Sequence, residues 1–298
     1  MKLYNLVVRL FVLCGLALAS VTACYAAPSA ADYGVILNLS GKQRMLTQKM
    51  TKEVALIALN VDAEKNLKNL AGTSALFDKT LKGLKDGDSS LGLPATDSKR
   101  IVRQLDKVAG IWAEFYPAIQ AITASKAVSQ EQLSTIAAKN LPLLKQMNKA
   151  VGLYEKEAKK SGLEAAPGLA ATLNLSGKQR MLSQKMSKEF FLIALGHDVE
   201  KNKLNLLETY SLFDRTLKGL KDGDEVLGLP GTKPQHILDQ LEVVSGLWVK
   251  FKPLVEKGAD YKTTALSAEQ INQVAASNLP LLKQMNAAVK LYEKEAAK

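Results

Sequence analysis

Apolar residues recur along the chain at helical spacing, as in Ile101, Leu105, Val108, Trp112, Phe115 and Ile119, which step by four, three, four, three and four. Such a period lines one face of an α-helix, whereas the strict alternation of a half-buried strand does not occur. Breaker-rich stretches interrupt the pattern at "KDGDSSLGLPATD" and "ITASKAVS", with a softer break at "NVDA". They predict four helices at about 33–60, 62–84, 97–122 and 129–159. Four long amphipathic helices with short joints bury their stripes most simply as a four-helix bundle. Pro117 and Pro142 fall inside the third and fourth helices and are expected to kink the chain or mark a break just before them.

The whole pattern is then written a second time. "LFDKTLKGLKDGD" (Leu76 to Asp88) returns as "LFDRTLKGLKDGD" (Leu212 to Asp224), and "NLPLLKQMN" at Asn140 returns at Asn278. The offset is 136 in the first pair and 138 in the second, which locates a two-residue insertion near "EKGADYKTT". A unit this long is no solenoid repeat but a duplicated domain. The chain is therefore expected to be all-α, two tandem four-helix bundles over residues 31–159 and 168–298, joined by "KKSGLEAAPG".

The first helix carries the strongest pattern of all. "NLSGKQRMLTQKM" at Asn38–Met50 is repeated as "NLSGKQRMLSQKM" at Asn174–Met186. At 100° per residue, Val35, Leu39, Leu46, Met50 and Ile57 gather on one side as core. Gly41, Arg44 and Gln48 stand nearly opposite, with Met45 beside them and Ser40 on the flank. Their copies are Gly177, Arg180, Gln184, Met181 and Ser176. A mid-helix glycine costs about 1 kcal/mol relative to alanine, which makes sense where a backbone or ligand comes close. Val35 to Lys52 also holds Lys42, Arg44, Lys49 and Lys52 with no acid, so the run is expected to await an anion. The plain alternative is a solvated basic face. Elsewhere the halves have diverged, as in "EVALIALNV" against "EFFLIALGH", which favours a functional reason for the unchanged run.

The ends and the composition narrow the class. Residues 1–26 combine Lys2, Arg9, an apolar stretch and small residues, the pattern of a secretory signal cleaved after Ala26, with Cys24 as the lipidated residue of a lipoprotein box as the alternative. Both cysteines, Cys14 and Cys24, lie there, so the mature chain has no disulfide. No later apolar run is long enough to span a bilayer. The net charge of +11 is spread among acids along the chain, which argues against nucleic acid and for small anions or anionic lipid. His197 and His236 replace Val61 and Arg100 of the first unit, so no shared activity uses histidine. The aspartates of "KDGD" lack a calcium-loop pattern and are expected to form a turn. Trp112, Trp248, Tyr154 and Tyr292 are expected to be packing residues. No nucleophile, metal-ligand or phosphate-loop constellation is present, so no catalysis, metal or cofactor is expected.

With "NLSGKQRMLSQKM", "FDRTLKGL", "DGDEVLGLP", "LWVKF" and "NLPLLKQMN", each unit resembles the PilJ-type sensor domain, the periplasmic input module of type IV pilus chemotaxis transducers. More distantly it is similar to the helical sensor domain of nitrate/nitrite histidine kinases. The resemblance implies that the first helix pairs with its copy and that the motif arginine, with the glycine one turn earlier, embraces a small planar anion. Carried onto this chain, those residues are Arg44 and Arg180, Gly41 and Gly177; the hydrogen bonds that a bound anion needs add Gln48 and Gln184 as expected assistants. A position often arginine in relatives is Lys49 and Lys185 here, and no transmembrane helix or signalling region is expected after Lys298. The expected function is a periplasmic oxyanion-binding protein of the nitrate or nitrite class, paired within the chain or as a homodimer, presenting its ligand to a membrane receptor. The alternative is an interaction module for a pilus or chemotaxis protein, without a small ligand.

Overall fold

The computed structural model describes residues 28–161 and 168–296, so the expected signal segment, with Cys14 and Cys24, lies outside the described residues. Eight α-helices follow in order: α1 (Ala30–Ala58), α2 (Ala63–Asp86), α3 (Lys99–Ser125), α4 (Gln130–Lys160), α5 (Leu169–Ala194), α6 (Val199–Asp222), α7 (Gln235–Ala259) and α8 (Ala268–Ala296). The fold is all-α, two tandem helical bundles. Among the described residues the only extended pairing is two isolated bridges, Asp88 with Leu93 and Asp224 with Leu229.

Local chemistry sets these boundaries. Ser29 and Asp32 form a capping box at the start of α1, and Ser129 and Gln132 another at α4. Each satisfies two backbone donors that the first turn leaves unpaired. Gly87 and Gly223 end α2 and α6 at φ 85° and 97°. A Cβ at Gly87 would lie 2.9 Å from the Ala95 nitrogen, so only glycine fits this return. In the "KDGD" turns Asp88 accepts from the Leu91 amide at 3.2 Å and Asp224 from the Leu227 amide at 3.0 Å.

The prolines do not break their helices. α3 and α4 run through Pro117 and Pro142, and α7 and α8 through Pro253 and Pro280. All four rings lie on exposed faces, where water can take up the carbonyl that proline leaves without a donor.

Position in the bundle explains the unusual polarity of α1 and α5. α1 packs on α2 and α4 of its own unit and also on α5 and α8 of the other, and the α1–α5 contact is the most extensive in the described molecule. Both helices are consequently buried nearly all round. Ser40, Gln43, Thr47, Gln48 and Thr51 are as inaccessible as Leu37 and Met50. The wheel predicted one buried side and one open side. In the folded chain the sister helix covers that second side.

Around this central pair each unit keeps its own apolar core. Trp112 packs against Phe77 with the rings tilted and their centroids 4.5 Å apart, and Trp248 against Phe213 in the same way at the same distance. Their indole nitrogens donate to Asp78 and Asp214 at 3.0 and 2.6 Å. Tyr154 and Tyr292 are buried, the former donating to the Leu84 carbonyl at 2.7 Å.

Candidate functional site

At the crossing of α1 and α5 the two glycines face each other. A Cβ on Gly41 would lie 3.9 Å from the Gly177 Cα, and the converse holds. That close approach places both arginines on one spot: the same Cβ position is 3.4 Å from Arg44 Nη2 and 3.6 Å from Arg180 Nη2. Gly41, Arg44, Gly177 and Arg180 are thus brought together across an approximate twofold axis.

Each guanidinium reaches into the opposite helix. Arg44 Nη2 donates to the Asn174 carbonyl at 3.0 Å and its Nη1 to Asn148 Oδ1 at 3.3 Å. Arg180 Nη2 donates to the Asn38 carbonyl at 3.0 Å, and its Nη1 to Oδ1 of Asn38 at 2.8 Å and of Asn286 at 3.3 Å. Both Nε–H groups are buried without an acceptor. Neither arginine has a carboxylate at ion-pair distance among the described residues. Glu155 and Glu293 stand one step away, accepting instead from the Asn174 and Asn38 amides at 2.6 and 2.5 Å.

The electrostatic result is a pair of strained cations. Arg44 and Arg180 are 3% and 2% exposed. Burial pushes Arg44 down to about 10, with Glu155 opposing. Burial and then the neighbouring Arg44 push Arg180 down to about 9, with Glu293 opposing. Half-buried Lys42 and Lys178 add positive charge at the rim, each lowered first by burial and then by Arg180 or Arg44. Two desolvated like charges destabilise the empty site, and a bound monovalent anion would offset that cost.

The remaining expected residues fall into three groups. Ser40 and Ser176 bond the Leu37 and Leu173 carbonyls of their own helices, and Met45 and Met181 lie in the core. Gln48 and Gln184 sit one turn farther along the seam with their amide nitrogens already engaged, Gln48 on Thr47 and Gln184 on Asn278. Their Oε1 atoms have no donor. The basic run, finally, is not wholly unneutralised. Lys49 pairs with Glu53, and Lys185 with Glu189 at 2.5 Å, because an acid one helical turn on lies just beyond the acid-free window. Nor is the run a solvated face, since both arginines, Lys52 and Lys188 are buried.

The sequence reading missed the asparagines. Asn38 and Asn174 open the duplicated run, six residues before each arginine, and Asn148 and Asn286 close "NLPLLKQMN". The signal was there: both are amides at the ends of stretches that the two units share, and a buried guanidinium needs acceptors. Among the described residues no cluster of three or more His, Cys, Asp or Glu is arranged to hold a metal ion. No helix there is long and apolar enough to cross a membrane.

The described residues form duplicated helical bundles that pair through a cation-bearing first helix. The family described as the N-terminal part of type IV pili methyl-accepting chemotaxis transducers, PilJ, matches residues 28–142 and again 163–277, and the chain belongs to it. Methyl-accepting chemotaxis protein McpN of Pseudomonas aeruginosa is 28% identical over 122 residues, which cover 41% of this chain and 22% of that protein. The chain thus matches only about a fifth of that relative's length.

Proposed function

We propose that this protein is a non-enzymatic sensory protein of the periplasm that binds one small oxyanion, of the nitrate or nitrite class, between Arg44 and Arg180. The observation that carries the reading is the pair of buried guanidinium groups converging beside Gly41 and Gly177, each with an idle Nε–H and no carboxylate. A planar monovalent anion matches planar forked donors better than it would a lysine. A single exposed arginine contributes about 1 kcal/mol, whereas micromolar binding requires about 8 kcal/mol. Two shielded guanidinium groups and charge-assisted hydrogen bonds supply the difference.

The site is closed, so the ion enters when the guanidinium groups release their asparagines or the two helices part. Either movement changes the α1–α5 seam, which links occupancy to the relative placement of the units. Membership of the family supports a membrane-bound chemotaxis or pilus protein as the partner to which that change would be presented.

Calorimetry with nitrate, nitrite, chlorate and sulfate tests the reading. One planar monovalent ion per chain is expected, with binding lost in Arg44→Ala and in Arg180→Ala. No heat from any of the four ions would overturn it.

A further inference from the structure

Away from the arginines, two clefts open between one unit's second helix and the other unit's last. The first, about 220 Å³, is walled by Ala137, Ala138 and Leu141 of α4 and by Lys188, Lys201 and Asn205 of the second unit. The second, about 320 Å³, is walled by Ala275, Ala276 and Leu279 of α8 and by Lys52, Lys65 and Asn69 of the first unit. The duplication carries each wall onto the other, so the two clefts are copies of one design, and each needs both units to be complete.

At the inner end of each cleft stands a buried lysine. Lys52 and Lys188 are both 3% exposed. Lys52 Nζ makes one hydrogen bond, to Asn278 Oδ1 at 2.9 Å, and Lys188 Nζ one to Asn140 Oδ1 at 3.2 Å. Both acceptors come from the opposite unit. An ammonium carries three donors, so the amide leaves most of its capacity unused. The nearby glutamates are shared. Glu53 pairs with Lys49, and Glu189 with Lys185 while standing 3.9 Å from Lys188. Two lysines per glutamate leave each cluster with a surplus positive charge. Exposed Lys65 and Lys201 stand at the mouth, where Asp62 and Asp198 also line the clefts and offset them, Lys65 being 3.5 Å from Asp62, so the surplus charge lies at the inner end.

We infer that each cleft binds a small organic carboxylate, its carboxylate on Lys52 or Lys188 and its carbon chain on the Ala–Ala–Leu wall of the other unit. Charge selects an anion. The apolar wall and the volume select an organic body over a bare oxyanion, since a nitrate-sized ion would leave the leucine and alanine side facing water. The two clefts are not identical, because His197 lines the first where Val61 lines the second, and they are expected to differ in affinity.

Calorimetry and thermal shift on the whole mature chain, with propionate and succinate as probes and phosphate and sulfate as controls, test this. The expected result is two carboxylates per chain. Lys188→Met and Lys52→Met should each weaken one of the two by at least tenfold. Exposed Lys201→Glu, which has no bearing on the core, should weaken the first cleft alone. Carboxylate binding should persist in Arg44→Ala, and nitrate binding should persist in Lys188→Met, so the two proposals fail separately. The inference is overturned if no carboxylate binds, if binding survives both methionine substitutions, if Arg44→Ala abolishes it, or if phosphate and sulfate bind these lysines and carboxylates do not.

Discussion

Replacing Arg180 with methionine separates a receptor arginine from a structural one. Methionine keeps much of the volume and removes the charge. In the folded protein Arg180 falls from its ordinary value to about 9, an opposition to the charged form on the order of 5 kcal/mol at about 1.4 kcal/mol per unit. Against it stand three hydrogen bonds, to the carbonyl and amide of Asn38 and to Asn286, which return about 1–2 kcal/mol each. The two nearly cancel, and removing one cation also relieves Arg44. In urea unfolding without oxyanion at pH 7, Arg180→Met is therefore expected to stay within about 1 kcal/mol of wild type. In nitrate at a hundredfold excess over its dissociation constant, wild type should gain about 2.7 kcal/mol and the variant nothing. A loss of about 3–5 kcal/mol without ligand, as when a buried ion pair is broken, would refute the reasoning. It would make Arg180 a structural strut.

Two buried helical glycines should respond in opposite senses. Gly41→Ala adds a Cβ that meets its nearest neighbour at 3.4 Å, so thermal unfolding should show a gain of up to about 1 kcal/mol from helix propensity, while calorimetry shows weakened oxyanion binding. Gly258→Ala would place a Cβ 2.5 Å from the Phe190 ring and should cost about 1–3 kcal/mol. Lys52 and Lys188, each lowered to about 8 mainly by burial, bind fewer protons folded than unfolded between about pH 8 and their ordinary value near 10.4. Their penalty is full below pH 8 and fades as pH rises. The Lys52→Met, Lys188→Met double variant should therefore be more stable than wild type at pH 7 in chemical unfolding, with its advantage narrowing toward pH 10.

The sequence revealed elements better than surroundings. Helical periodicity and the breakers gave all eight helices because each stripe and each turn is a local property. Of the two outcomes expected at Pro117 and Pro142, a break did not occur, since a proline's effect depends on whether the freed carbonyl meets water, and all four helical prolines face solvent. Arg44 and Arg180 were legible as a pair because the duplicated run set them at the same register beside a glycine. Their burial was not, because a wheel for one helix cannot say that a second helix covers its far side. The same blindness hid the asparagines, which lie on other turns and other helices. Lys52 and Lys188 looked like part of a basic face, and only the packing of α8 against α1 and of α4 against α5 moved them indoors.

The Gly41–Gly177 contact joins halves of one chain. Their encounter is governed by a short tether, which acts as a millimolar local concentration, and not by how many copies the cell makes. A detector assembled from separate subunits loses its site on dilution, whereas this one would report the same ion at any abundance. Covalent fusion also frees the halves from strict equality. Arg180 already takes two acceptors from Asn38 where Arg44 takes one from Asn174, so an ion between them would meet two unequal sides, which an exactly symmetric homodimer would not offer.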